Sequence, residues 1–152
     1  MKVVAILGTL CAYATIVLGG TVRGIPGAGL ACPDWPLCNG SAIPDLRDPT
    51  VAVEYAHRLA AALTSLSILL TMVFAILWFR PERRLVTLSF MSFAILVTQV
   101  AVGAVTITSG NDPAVVTIHL ALGTATFASA LIVALFALRP PSVGEASPRP
   151  IG

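Results

Sequence analysis

Val53-Glu-Tyr-Ala-His-Arg-Leu-Ala-Ala-Ala-Leu-Thr-Ser-Leu-Ser-Ile-Leu-Leu-Thr-Met-Val-Phe-Ala-Ile-Leu-Trp-Phe79 sets a carboxylate, an imidazole and a guanidinium directly before a long apolar run. The run from Leu59 to Phe79 has about the 20 residues that cross a bilayer. A charged cluster at the head of such a span is costly unless something uses it. At 1.5 Å per residue, a helix from Val51 to Phe79 is roughly 43 Å long. That exceeds the hydrocarbon thickness of about 30 Å. Its first two turns, with Glu54, His57 and Arg58, therefore rise into the interface. The helix is expected to begin near Pro49 or Thr50, as a cap and first-turn pair.

Three similar runs flank this one: Val3 to Val22, Leu85 to Thr108 and Val115 to Leu138. The chain of 152 residues is 57% hydrophobic and only 11% charged, with mean hydropathy +0.92. A soluble domain of this size cannot bury that much apolar surface. Lipid offers no hydrogen bonds to an open backbone, so each run reads as a helix. The reading is an all-α membrane protein: a four-transmembrane-helix bundle over residues 1–139, then a disordered cytoplasmic tail over 140–152 rich in Pro, Ser and Gly. The start of the first run, Lys2 to Ala14, has the look of a secretory leader. The apolar run continues well past Ala14, which favours a retained span.

Basic residues orient the bundle. Lys2, Arg80, Arg83, Arg84, Arg139 and Arg149 fall at one side. Arg23, Arg47 and Arg58 fall at the other, mixed with Asp34, Asp45, Asp48, Glu54 and Asp112. The positive-inside rule puts both termini in the cytoplasm and the loop 23–50 outside, in a multi-pass protein of the cell membrane. The net charge of +2 gives no reason to invoke nucleic acid.

The loop Arg23-Gly-Ile-Pro-Gly-Ala-Gly-Leu-Ala-Cys-Pro-Asp-Trp-Pro-Leu-Cys-Asn-Gly40 is shaped by glycine and proline. Cys32 and Cys38 have three readings: a structural disulfide that stiffens the loop, a redox-active pair that exchanges with a thiol carrier, or two metal thiolates. Trp35 reads as an interfacial anchor or as a lid on the bundle. Cys11, mid-span, reads as a small apolar filler. Gln99 is a polar residue deep in the third span, an interhelical hydrogen-bond partner or a pocket residue. A faint internal echo aligns Gly20-Thr-Val-Arg23 with Gly103-Ala-Val-Thr106. Each precedes a turn and a helix that opens with histidine.

His57 and His119 lie near the same end of the second and fourth spans, and small residues follow both. Two neutral imidazoles at one depth can be axial ligands of a haem lying between helices. The plainer alternative is two separate interfacial histidines, each with a hydrogen-bond partner. Arg58 and Arg23 read as partners for haem propionates or as snorkelling arginines. Glu54 reads as a reactive carboxylate at a pocket edge or as half of a Glu54–Arg58 helix pair. A di-iron carboxylate site is excluded, because no further carboxylates lie within the spans to complete it.

Several stretches together resemble the haem A synthase family: Val22-Arg23, Gly27-Ala-Gly-Leu-Ala-Cys-Pro-Asp-Trp-Pro-Leu-Cys38, Glu54-Tyr-Ala-His-Arg58, Gln99-Val-Ala-Val-Gly-Ala-Val-Thr106 and His119-Leu120. The resemblance covers about residues 17 to 125. It implies an oxidoreductase that turns a methyl group of haem O into a formyl group, giving haem A, with a bound haem B as cofactor and water as the oxygen source. It makes His57 and His119 axial ligands, Glu54 the acidic residue at the reacting methyl, and Cys32 and Cys38 the outer cysteine pair. Family members usually have eight spans in two similar halves, with four histidines, so this chain resembles a compact, half-length form. A homo-oligomer, most simply a dimer, would supply the second site. Haem O synthase or terminal oxidase assembly factors would be neighbours in the lipid bilayer. Two other functions fit parts of the pattern: a b-type cytochrome that carries electrons, and a membrane thiol-disulfide oxidoreductase. The first leaves Glu54 and the cysteine loop without a role. The second typically needs another cysteine pair.

Overall fold

The computed structural model describes residues 1–139. The tail 140–152, read above as disordered, lies outside the described residues. Four helices are long and apolar enough to cross a membrane: α1 (Lys2–Gly24), α2 (Pro49–Trp78), α3 (Arg83–Thr108) and α4 (Pro113–Leu138). They form the expected all-α four-helix membrane bundle. Short turns join α2 to α3 and α3 to α4, and the long loop joins α1 to α2. Around the ring, α1 packs on α2 and α4, and α3 packs on α4 and α2.

Lipid, rather than water, explains what is buried. Large apolar side chains point outward: Val3, Leu10 and Val17 on α1, Leu59, Leu63 and Leu66 on α2, Phe90 and Met91 on α3, Ile118 and Leu135 on α4. The interior holds small and hydroxyl-bearing residues: Ala5, Thr9, Thr64, Thr71, Ser92, Thr126 and Ala130. Small residues let backbones approach where lipid tails give no hydrophobic drive to associate. At Gly8, a Cβ would stand 3.2 Å from the Ser67 Cβ on α2. The buried threonine hydroxyls bond within their own helices, as in Thr9 to the Ala5 carbonyl (3.0 Å) and Thr71 to the Ser67 carbonyl (2.8 Å). Ser92 and Ser129 bond across α3 and α4 at 3.0 Å. Near mid-bundle, Ile68, Leu96 and Ala130 make an apolar plug.

α2 begins at Pro49, as expected, but its cap is Asp48, which accepts the Thr50 N–H at 2.8 Å with Pro49 in the first turn. Asp112 and Pro113 repeat this arrangement at α4. A carboxylate satisfies an orphan N–H and complements the helix dipole, while proline there sacrifices no bond.

Candidate functional site

The loop is built around Asp34 and the cysteines. Cys32 and Cys38 form a disulfide, with Cα atoms 4.5 Å apart, and both are buried. This sets aside the metal-thiolate reading. Among the described residues no three His, Cys, Asp or Glu side chains converge on one point. The Asp34 carboxylate accepts the backbone N–H groups of Asn39 (2.6 Å) and Gly40 (2.8 Å). The Gly40 bond is the largest influence holding this carboxyl below its ordinary pKa. Cys38 and Ser41 exchange backbone hydrogen bonds. The Trp35–Pro36 peptide is cis.

Arg58 fastens this loop to α2. Its Nε donates to Glu54 Oε1 at 2.9 Å, across one helical turn. Its terminal nitrogens donate to the carbonyls of Asp34 (2.7 Å), Leu37 (2.6 Å) and Cys32 (2.7 Å). Tyr55 adds a bond from its hydroxyl to the Ala42 carbonyl at 3.0 Å. Arg58 thus gives four of its five N–H donors to the protein. It stands as the pair partner of Glu54 and the clip of the loop, with one donor left for any anion. Arg23, in the last turn of α1, makes no ion pair among the described residues.

Removing one partner of so buried a pair costs about 3–5 kcal/mol. Arg58→Ala is expected to lower thermal stability in detergent by that order and to expose the loop to proteases. Arg58→Lys, which keeps the charge without the planar fork, should recover only part of it. Opening the short Cys32–Cys38 ring by Cys32→Ser should cost about 2 kcal/mol. Limited proteolysis between residues 32 and 38 would report it.

Below the loop lies an open cavity of about 470 Å³, lined by residues of all four helices. Arg23, Trp35, Glu54, Arg58 and Asn111 ring its mouth, and Leu96 and Thr126 lie at its floor. On α4 the lining runs from Val116 to Thr126, roughly 15 Å of helix. Trp35 lines the mouth while 54% exposed, which fits both of its expected roles. Glu54 is only 6% exposed, and its Oε2 has no hydrogen bond among the described residues.

His57 and His119 both line this cavity. The His57 Nδ1 lies 3.0 Å from the Thr15 carbonyl. A carbonyl can only accept, so Nδ1 carries the proton and Nε2 keeps its lone pair. This is the arrangement that orients a metal-binding imidazole. His119 Nδ1 approaches the Gln99 backbone but is buried without a hydrogen bond of good geometry.

Both rings rest on glycine. A Cβ at Gly19 would stand 3.0 Å from the His57 Cε1, and one at Gly103 would stand 2.9 Å from the His119 Cε1. The two helical pairs are therefore built alike, with Thr15 and Gly19 serving His57 as Gln99 and Gly103 serve His119. The internal echo is real in structure but out of register in sequence: Gly19, not Gly20, matches Gly103. Gly103→Ala should push the His119 ring off its rotamer and weaken a ligand held by it, by up to roughly tenfold. The ultraviolet–visible spectrum of the loaded protein would show the change.

Two imidazoles at one level, flanked by small residues, an acidic group at the rim and a basic residue at the mouth suit a flat metallo-macrocycle with carboxylate arms. The cavity falls within the roughly 300–1,000 Å³ usual for cofactor and ligand sites. The fold and this site define a class: a multi-pass membrane helical bundle with a largely apolar interior cavity that two histidines line. The family model described as cytochrome oxidase assembly protein, COX15-CtaA, matches residues 47–150. The chain belongs to that family. Its curated relatives include proteins named Heme A synthase from Bacillus mycoides (strain KBAB4), Bacillus cereus (strain AH187) and Bacillus anthracis (strain A0248). Each is 34% identical over 121 residues, which is 78% of this chain and 38% of the relative. The chain thus spans well under half the length of these relatives. No solved structure matches it.

Proposed function

We infer that the protein is a membrane haem A synthase, an oxidoreductase that converts a methyl group of haem O into a formyl group. The observation that carries this reading is the pair His57 and His119, drawn from α2 and α4 into one cavity, each seated on a glycine. His57 and His119 would hold haem iron through their Nε2 atoms, with the Thr15 carbonyl fixing the His57 tautomer. A bound haem B would supply one-electron redox chemistry there. Haem O enters as substrate, and which of the two haems this pair holds is assigned by extraction and chromatography.

Glu54 stands at the rim, where a proton released from the reacting methyl or from attacking water needs an acceptor. Arg58 fixes its Oε1 and leaves Oε2 to the cavity. Arg23 is the cation best placed to meet haem propionates, with the last Arg58 donor beside it. Trp35 and the clipped loop shield the mouth from bulk water. The loop faces outside the cytoplasm, by the charge bias of the chain. A second copy of the chain supplies another histidine pair, and crosslinking in membranes tests that association.

The test is turnover. Membranes carrying the protein and supplied with haem O are expected to accumulate haem A, resolved by chromatography of extracted haems. No haem A in membranes that hold correctly folded, haem-loaded protein would contradict the reading. An electron carrier would need the histidines but leaves the buried Glu54 at the cavity rim without a purpose. A thiol oxidoreductase lacks a second cysteine pair among the described residues, where Cys11 is the free cysteine.

A further inference from the structure

Many polar groups around the histidine cavity are either satisfied or sealed from it. Thr15 bonds the Cys11 carbonyl and meets Thr64 at 3.1 Å, while Thr64, Ser65 and Thr126 each bond the carbonyl four residues back. Thr106 bonds the Gly103 carbonyl. Gln99 Oε1 and His119 Nδ1 have no partner but are buried away from the open space. Asn111, at the mouth, is in neither condition. Its backbone N–H bonds the Thr106 carbonyl at 2.8 Å. Its carboxamide makes no hydrogen bond among the described residues and keeps accessible surface on the cavity. An asparagine amide has two N–H donors, and both are free here. The surrounding backbone holds this amide in place. Asn111 is left-handed, with φ 62°, a conformation that asparagine adopts far more readily than most residues. Gly29, in the short turn Ala28–Leu30 of the outer loop, packs against it: a Cβ there would stand 2.7 Å from Asn111 Nδ2. The outer loop and the α3–α4 turn thus meet at this carboxamide.

We propose that Asn111 is a binding residue of the mouth, whose Nδ2 donates a hydrogen bond to a carboxylate arm of the bound macrocycle. This rests on the haem reading above and deepens it. The charges at the mouth favour an anion there. Arg58 pairs with Glu54, and the Asp112 carboxylate is engaged by the Ala114 and Val115 N–H groups at the start of α4. Arg23 is left as a cation without an ion pair among the described residues. Arg23 then supplies charge from α1, while Asn111 supplies a neutral donor from the α3–α4 turn. A hydrogen bond to a charged group is worth about tenfold or more in affinity. Masking the carboxylate as an ester removes the charge that makes the bond strong.

The test uses purified full-length protein, prepared haem-free and titrated in detergent with mesohaem and with mesohaem dimethyl ester. Asn111→Gly removes the carboxamide and suits the left-handed backbone. Asn111→Asp keeps the shape and puts an anion where the donor was. Wild type is expected to bind the free acid at least about tenfold tighter than the ester. Asn111→Gly should weaken the free acid about tenfold and leave the ester unchanged. Asn111→Asp should weaken the free acid further, again sparing the ester. Equal weakening of acid and ester by both variants, or loss of both rings, would make the amide a packing partner of Gly29 and overturn the proposal. A free-acid affinity that neither variant lowers overturns it too, as does a wild type that binds acid and ester alike. Each of these results leaves the histidine site of the wild type intact. Failure of wild type to bind either ring would overturn the haem reading and this proposal with it.

Discussion

Replacing His119 with alanine is expected to abolish the six-coordinate, low-spin haem spectrum and to cut haem affinity by roughly 100-fold or more. Loss of a supporting partner to a metal ligand alone costs about 10–100-fold, and loss of the ligand itself should cost no less. His57→Ala should do at least as much damage. Its ring is already fixed in the ligating tautomer by the Thr15 carbonyl, so less ordering remains to be done on binding. His119 Nδ1 has no such bond of good geometry. Neither substitution removes bulk from the apolar plug at Ile68, Leu96 and Ala130, so helicity by circular dichroism should hold. An unchanged spectrum for either variant would remove that residue from the site.

Glu54→Gln carries the second large effect. Glutamine keeps the shape and a carbonyl oxygen for Arg58 Nε to donate to, but it cannot take up a proton. General-base catalysis contributes typically about 10²–10⁴-fold, so formation of haem A should fall by that order. Haem content and the low-spin spectrum should not change. If haem is lost together with turnover, Glu54 is a structural member of the Arg58 clip. The comparison with Arg58→Lys separates these cases, because that variant loosens the loop while leaving the carboxylate in place.

Much of this architecture is legible in the chain because lipid allows so few solutions. Four runs near 20 residues long must be helices, and all four lie within one or two residues of their expected ends. Glu54, His57 and His119 stand out because their residue types are expensive where they occur. The contacts of Arg58 leave no such mark in the sequence. Three of its acceptors are backbone carbonyls of Cys32, Asp34 and Leu37, and a backbone oxygen leaves no residue-type signature. The internal echo falls one residue off for a related reason. Matching letters align Val22 with Val105, whereas the fold selects the glycine that an imidazole touches, which is Gly19. Pro49 and Thr50 mark the start of α2 in the sequence, but the cap is Asp48, whose role shows only in its bond to the Thr50 N–H. Gln99 could be seen as a polar residue in an apolar span, but only the packed helices show that its neighbours' hydroxyls are satisfied and its own oxygen is not.

The most direct measurement is the reduced-minus-oxidised optical spectrum of the purified protein, with its haems extracted and identified. The account predicts a low-spin, bis-imidazole spectrum that is lost in His57→Ala and His119→Ala, with haem B accompanied by haem O or haem A in the extract. A well-folded preparation, made in cells supplied with haem, that holds no haem would contradict it.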